Sequence, residues 1–239
     1  VFDDGEPDEL VVWQSARRGV YRRAGVIRTG HVLRAFRLVG ARVLVATLDD
    51  LLLEYDVRSL AQTHLVHLAG TEHEHGNVTY IDMDDDFFYV AGAGQLSLTV
   101  MSRASQRVAM TLRDWMAGYP LTSFVPELLP QPCGAPRFQL RRMHAIRSPI
   151  ALESAYQAFR HEPGIEMRQW DAVHPDARTD TLVALSDSGL LFIRHYKAHL
   201  LRGSATPELV YYAFPEIVRC AEGRRASRVL GSRHWDGEG

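Results

Sequence analysis

A strand–turn–strand pattern that recurs at a nearly constant interval constrains the fold of this chain more than any other feature. Residues 42–55 align without gaps on residues 87–100, an offset of 45 positions. The pattern returns at 181–193, where Ala184 lies 138 positions after Ala46, or three intervals of 46. Four-stranded units that repeat roughly every 40–50 residues are typical of β-propellers. The interval therefore predicts an all-β fold built from repeated blades.

Short runs of β-branched and aromatic residues between turn signals predict the strands of each unit. A single four-stranded sheet has two apolar faces, so neighbouring blades must stack to bury both. We expect residues 1–239 to form one β-propeller domain or part of one, a fragment or incomplete ring of about 4–6 blades. The predicted blades cover residues 31–77, 78–117, 118–166 and 167–214, with partial blades at 1–30 and 215–239.

The stretch 113–166 interrupts the regular pattern. Five prolines between Pro120 and Pro136 fix backbone angles that suit neither a helix nor a strand ladder. Ser148 and Pro149, followed by the apolar segment 150–159, predict the start of a short helix. We expect the blade over 118–166 to be irregular and expanded by an insertion; a long loop between blades is the alternative.

Composition narrows the class of protein. A chain of 239 residues buries enough surface to fold without disulfides or metal. Its two cysteines, Cys133 and Cys220, are expected to be reduced thiols of a cytoplasmic or nuclear protein. The 27 basic and 29 acidic residues favour neither a nucleic-acid nor a membrane partner. Because residue 1 is Val rather than Met, we expect a piece of a longer chain.

Motifs of catalysis and ligand binding are not found in the sequence. It contains no Gly-x-Ser-x-Gly elbow and no glycine-rich phosphate loop, so we predict no catalytic residue and no cofactor. The acidic run 82–86 has Phe87 and Ala93 where a calcium loop needs Gly and Glu, which favours an exposed turn. His73 and His75 would bind a metal only with a third ligand from elsewhere, so no metal site is predicted.

An enzyme with its active site on the propeller axis is the alternative to a binding module. Such an enzyme needs charged side chains on the inner strands, within hydrogen-bond reach of one another. The inner strands offer four candidates, which are scattered in the sequence: His31, Asp82, Asp171 and His174. A purely structural segment of a larger scaffold is a third possibility.

The repeat resembles the WD40 family in its dipeptides. Gly30-His31 precedes an inner strand, and Tyr55-Asp56 closes the third strand 24 residues after His31, a spacing similar to that between the Gly-His and Trp-Asp pairs of the family. The resemblance implies that four residues form the structural hydrogen-bond network of WD40 blades: His31, Thr47, Asp49 and Tyr55.

A narrower resemblance is to the propeller region of fungal F-box proteins. It is carried by residues 78–84 with 88–91, and by residues 170–174 with 182–184. The resemblance implies a non-enzymatic protein–protein interaction module, the substrate-recruiting propeller of an F-box (SCF ubiquitin ligase) adaptor. Partners would dock on loops at one rim of a rigid scaffold. We therefore expect protein partners, rather than nucleic acid or membrane, in the cytoplasm or nucleus.

Overall fold

The computed structural model describes residues 9–68, 78–92, 97–129, 137–146, 170–186 and 189–213. Its strands are β1 (Glu9–Arg17), β2 (Val20–Arg28), β3 (Leu33–Val39), β4 (Arg42–Thr47), β5 (Leu51–Asp56), β6 (Gln62–His67), β7 (Val78–Met83), β8 (Phe87–Gly92), β9 (Leu98–Ser102), β10 (Val108–Thr111), β11 (Leu121–Leu129), β12 (Arg137–Ile146), β13 (Trp170–Asp176), β14 (Thr181–Ser186), β15 (Gly189–Arg194) and β16 (Glu208–Ala213). Two short helices accompany them, α1 (Leu112–Gly118) and α2 (Tyr196–Arg202).

The strands form four sheets, which confirms the predicted all-β class. The first sheet contains β1 and β2, the second β3–β6, the third β7–β10, and the fourth β13–β16 together with β11 and β12. In the second, third and fourth sheets, four consecutive strands form an antiparallel meander. The repeated segments that begin at residues 42, 87 and 181 contain the second strands of these meanders and at least part of the third strands. Across the described ranges, no helix is long and apolar enough to cross a membrane.

Strand alternation explains why the sheets stack. On β4, Val43 and Val45 pack into the core shared with the first sheet, whereas Leu44 and Ala46 pack into the core shared with the third. The third sheet behaves in the same way, with Phe88 facing the second sheet and neighbouring side chains facing the fourth. Since successive side chains point to opposite faces, continuous apolar strands require a neighbouring sheet on each side.

The first strands of the second, third and fourth sheets lie side by side. β3 contacts β7, and β7 contacts β13. We call the surface formed by these three strands the inner edge. Four-stranded meanders whose first strands meet along one edge are propeller-like, whereas blade number and ring closure remain predictions.

The described strands of the stretch 118–166 lie in the fourth sheet, and the blade expected over these residues remains a prediction. β11 pairs in parallel with β16, and β12 pairs with β11, so both extend the fourth sheet. The third and fourth sheets share one core directly, and buried Leu121 anchors the beginning of β11 in it. The predicted helix at 150–159, both cysteines and the partial blade 215–239 lie outside the described residues, and the other blade boundaries remain predictions.

Candidate functional site

A polar cluster lies where the three strands of the inner edge meet. It comprises Arg37 on β3, Tyr80 and Asp82 on β7, and His174 on β13, and we call it the inner-edge cluster. The buried Asp82 carboxylate accepts a hydrogen bond from Arg37 Nε at 3.3 Å and lies 3.0 Å from His174 Nδ1. One carboxylate therefore connects the second, third and fourth sheets.

The repeat places these side chains together. Arg37 precedes Asp82 by 45 positions, and Asp82 precedes His174 by 92, or twice 46. They occupy equivalent places on the first strands of the second, third and fourth sheets, so the stacking of these sheets brings them into contact. Tyr80 joins them because it lies two residues before Asp82, on the same side of β7. Its ring meets the imidazole of His174 edge-on at 5.3 Å and lies beneath the Arg37 guanidinium at 5.9 Å.

The inner-edge cluster has the geometry of an oriented base. A carboxylate only accepts hydrogen bonds, so His174 donates from Nδ1 to Asp82. In the neutral imidazole with this tautomer, Nε2 is an acceptor. Nε2 lies 3.5 Å from the Tyr80 hydroxyl. Burial raises the pKa of Tyr80, and the nearby Asp82 adds to this while Arg37 opposes it, so Tyr80 stays a neutral phenol at neutral pH. The side chain of His174 is 50% exposed, so solvent reaches the imidazole.

The structure brings together two of the four inner-strand residues named from the sequence. Asp82 and His174 are in contact, whereas His31 pairs with Asp49 at a separate place and Asp171 is exposed. Arg37 was not anticipated, although its 45-residue offset from Asp82 is visible in the sequence. The expectation of an exposed turn over 82–86 is wrong at Asp82, because β7 carries this residue into the contact between sheets.

The four WD40-like positions are only partly connected. His31 Nδ1 lies 2.8 Å from Asp49 Oδ2. The buried Thr47 hydroxyl accepts a hydrogen bond from the backbone N–H of Leu51 at 3.2 Å, within the β4–β5 turn. Tyr55 packs in the apolar core between the first and second sheets. The structural network of these four residues remains a prediction.

A buried ion cluster joins the second and third sheets. Both carboxylate oxygens of Glu54 accept hydrogen bonds from Arg103 Nη2 at 2.7 Å, and His64 Nδ1 lies 2.9 Å from Glu54 Oε2. The Arg103 guanidinium also lies 5.4 Å from the centre of the Phe88 ring. Because these residues come from different sheets, the cluster fixes the position of one sheet on the next.

A second network joins the third and fourth sheets. Asp84 accepts a hydrogen bond from the Tyr89 hydroxyl at 2.7 Å, and Lys197 Nζ lies 3.0 Å from the same carboxylate. The hydroxyls of Tyr89 and Tyr196 are 2.8 Å apart. Burial is the main cause that raises the pKa of both phenols. The network is therefore a buried structural contact whose hydroxyls stay protonated.

Large apolar side chains are exposed on the side of the stack where the first sheet lies. Trp13, Tyr21, Phe36 and Leu38 are between 58% and 65% exposed. Val12 packs on the core between the first and second sheets, so the alternation of side chains places its neighbour Trp13 on the opposite face of the first sheet. Tyr21 pairs with Ser15, which is two residues after Trp13, and so lies on the same face as Trp13. Phe36 and Leu38 pair with Val45 and Val43, so they point toward the first sheet, which does not cover them. We call these four residues the open apolar surface.

Metal binding finds no further support in the part of the chain that the structure describes. It contains no group of three or more His, Cys, Asp or Glu side chains that could hold a metal ion. His73 and His75 lie outside the described residues.

Two solved structures are similar to this chain, both with a low TM-score. No protein-family model and no curated protein matches the sequence, so the WD40 and F-box resemblances gain no support there. The N-terminal domain of Nup159 is similar with a TM-score of 0.34 and 9% identity, over 82% of this chain and 40% of that one. The computationally designed Ika8 protein is similar with a TM-score of 0.32 and 8% identity, over 75% of this chain and 48% of that one. The chain thus spans less than half of each, and at these scores we base no conclusion on either.

Proposed function

We propose that the stacked sheets are blades of a WD40-like β-propeller, and that the chain is a non-enzymatic protein–protein interaction module. The open apolar surface is the observation that carries this proposal. Tyr and Trp side chains are enriched where proteins bind one another, and grouped exposed apolar residues mark interaction sites. The Glu54 ion cluster and the Asp84 network support the proposal further, because they fix the second, third and fourth sheets to one another behind this surface. The partners would be proteins of the cytoplasm or nucleus, rather than nucleic acid or membrane.

The test replaces two exposed aromatic residues of the surface together, Trp13→Ala with Tyr21→Ala. Leu201→Ala is the control, since Leu201 is also exposed but lies on α2, at the fourth sheet. Proteins captured by the unaltered chain are purified, and their direct binding to each variant is measured by calorimetry. We expect at least a tenfold loss of affinity for the double variant, since aromatic hot spots contribute about 2 kcal/mol or more. Equal binding by both variants, or no direct partner at all, would contradict the proposal.

A more specific form of this proposal is that the chain is the substrate-recruiting propeller of an F-box adaptor in an SCF ubiquitin ligase. Only the sequence resemblance at residues 78–84 with 88–91, and at residues 170–174 with 182–184, supports it. Its test is copurification of the full-length protein with the other ligase subunits. Their absence from the purified complex would leave the interaction module without this role.

The inner-edge cluster supports a second candidate, an enzyme whose active site lies on the inner edge. A carboxylate that orients an imidazole is the arrangement of a general base that takes a proton from water. Hydrolysis of p-nitrophenyl acetate by the full chain tests it, with His174→Gln as the variant. His64→Gln is the matched control, because His64 also pairs with a buried carboxylate. Loss of activity only in His174→Gln favours the enzyme; equal rates in all three proteins exclude a role for His174 with this ester.

A further inference from the structure

We propose that the open apolar surface binds an extended, acidic-flanked peptide segment of a partner protein, which adds a β-strand to the edge of β1 that pairs with no described strand. The inference rests on the proposed interaction function and names the kind of partner. The peptide would carry apolar side chains at alternate positions and place them on Phe36 and Leu38.

The first sheet has fewer strands than its neighbours. The second and third sheets each have four strands, whereas the first contains only β1 and β2 among the described residues. β1 pairs along one edge with β2 over Glu9–Arg17, and no other described strand pairs with it. An unpaired edge presents main-chain N–H and C=O groups at a regular spacing, which is a template for a further strand.

Two packing contacts bear on where β1 lies over the second sheet. Gly25 of β2 lies so close to Leu60, in the β5–β6 turn, that an added Cβ would come within 2.3 Å of the leucine side chain. Leu10 and Val12 of β1 pack on the core that contains Val43 and Val45 of β4. β2 thus contacts the β5–β6 turn, and β1 packs on the core to which β4 contributes, so the proposal places the unpaired edge of β1 on the side of β3.

The uncovered surface continues the core between the first and second sheets. Val43 and Val45 are buried under the first sheet, whereas Leu38 and Phe36, their partners on the adjacent strand, are exposed. Neighbouring strands lie about 4.8 Å apart, so the surface over β3 has the width of one added strand. Phe36 and Leu38 are two residues apart, which matches the spacing of side chains on one face of an extended peptide.

The positive charge of the first sheet predicts acidic residues at the ends of the peptide. The segment 9–28 contains five arginines and one glutamate, a net charge of 5 − 1 = +4, although the whole chain carries −2. Arg17, Arg18, Arg22 and Arg23 lie at the turn end of the hairpin and are exposed. Acidic residues next to the apolar segment would therefore be attracted to this end of the first sheet.

The test measures binding of synthetic peptides to the full chain by fluorescence anisotropy. The probe is a labelled peptide of nine residues, the length of β1, with alternating valine and threonine between acidic ends. Phe36→Asp with Leu38→Asp is the surface variant, and Leu201→Asp is the control with a similarly exposed residue. We expect at least tenfold weaker binding to the surface variant and unchanged binding to the control, with all proteins showing the same thermal unfolding.

N-methylated peptides test the added strand itself. Methylation of the amides on one edge of the peptide should abolish binding, whereas methylation on the opposite edge should leave it unchanged, because only one edge pairs with β1. If the surface variant loses its captured protein partner but neither methylation affects the peptide, the interaction function stands and the strand addition is wrong. If the surface replacements change no binding at all, both are wrong. Stronger binding of a single-stranded oligonucleotide or of anionic vesicles to the same surface would also overturn the peptide proposal.

Discussion

The contact between the third and fourth sheets and the contact between the first and second sheets are built differently. The former buries Trp115, Trp170 and Tyr211 completely and adds the hydrogen-bonded network of Asp84 and Lys197. The latter is an apolar core of smaller side chains, beside which Phe36 and Leu38 stay exposed. The difference indicates a division of roles: the third and fourth sheets hold the scaffold, and the side of the first sheet has surface left for a partner.

The largest expected effect is the difference in unfolding free energy between variants of a buried and an exposed tryptophan. Trp170→Ala should lower the free energy of unfolding by about 3–5 kcal/mol, because it removes a fully buried ring and leaves a cavity. Trp13→Ala should change it by less than about 0.5 kcal/mol, since Trp13 is exposed. Urea unfolding followed by circular dichroism measures both. Similar losses for the two variants would remove the distinction between scaffold and binding surface.

A smaller effect is expected in the network between the third and fourth sheets. Tyr196→Phe removes the hydroxyl that lies 2.8 Å from the Tyr89 hydroxyl and should cost about 1–2 kcal/mol of unfolding free energy. Tyr212→Phe is the control, because Tyr212 belongs to the fourth sheet but packs with Phe192 and Phe124 by ring contacts. An unchanged midpoint for Tyr196→Phe in urea unfolding would show that the hydroxyl network contributes little.

The same network should respond to pH at both extremes. Burial alone would raise the pKa of Asp84, but hydrogen bonds from Tyr89 and backbone N–H groups, with Lys197, hold it below 3.8. Burial alone would lower the pKa of Lys197, but Asp86 and Asp84 raise it above 10.5. The contribution of Asp84 is present above pH 3.8 and is lost as pH falls through its lower folded-state pKa. That of Lys197 is present below pH 10.5 and is lost as pH rises through its higher folded-state pKa.

Replacement of Asp84 isolates the acidic part of this dependence. Asp84→Asn should be less stable at neutral pH and should lose less stability on acidification than the unaltered chain. Unfolding free energies measured in urea over a pH series provide the comparison. Parallel pH curves for the two proteins would contradict an ionised Asp84 in the contact.

The smallest expected loss of stability tests whether β2 packs against the β5–β6 turn. Gly25→Ala should cost about 1 kcal/mol, because the new methyl group meets the side chain of Leu60. Adding Leu60→Ala should restore part of that loss, since the end of the leucine side chain would then be absent. Thermal unfolding of the single and double variants checks this. Additive losses would indicate that β2 does not pack against the β5–β6 turn.

Local pattern predicted the regular strands but not the long-range pairings. The second strands at residues 42, 87 and 181 were predictable, because alternation and the repeat both act within a unit. The parallel pairing of β11 with β16 was not, since it joins Leu121 to Leu209 across 88 positions that the repeat does not relate. α2, which the repeat does not predict, follows β15, where Asp180 accepts hydrogen bonds from the N–H groups of Lys197 and Ala198.

The candidate site was predictable in one part only. Asp82 and His174 were named from the inner strands, and the 45-residue interval also relates Arg37 to Asp82. The partner of Asp84 could not be named, because Lys197 lies on a helix that the repeat does not contain. The open apolar surface was also not visible in the sequence, since Phe36 and Val45 differ in exposure only through what the first sheet covers.

Arg37, Asp82 and His174 occupy equivalent places on the first strands of three stacked sheets, and this has a consequence for how far the repeats can resemble one another. If all three units were identical there, stacking would place three copies of the same charge in contact, and like charges repel. With aspartate on the middle sheet, its carboxylate meets a hydrogen-bond donor from each neighbouring sheet. Exchanging the second and third units along the chain would put Arg37 next to His174 and remove the carboxylate from between them. The divergence of the repeats at this single position thus places an acceptor between two donors, an arrangement that identical repeats could not form.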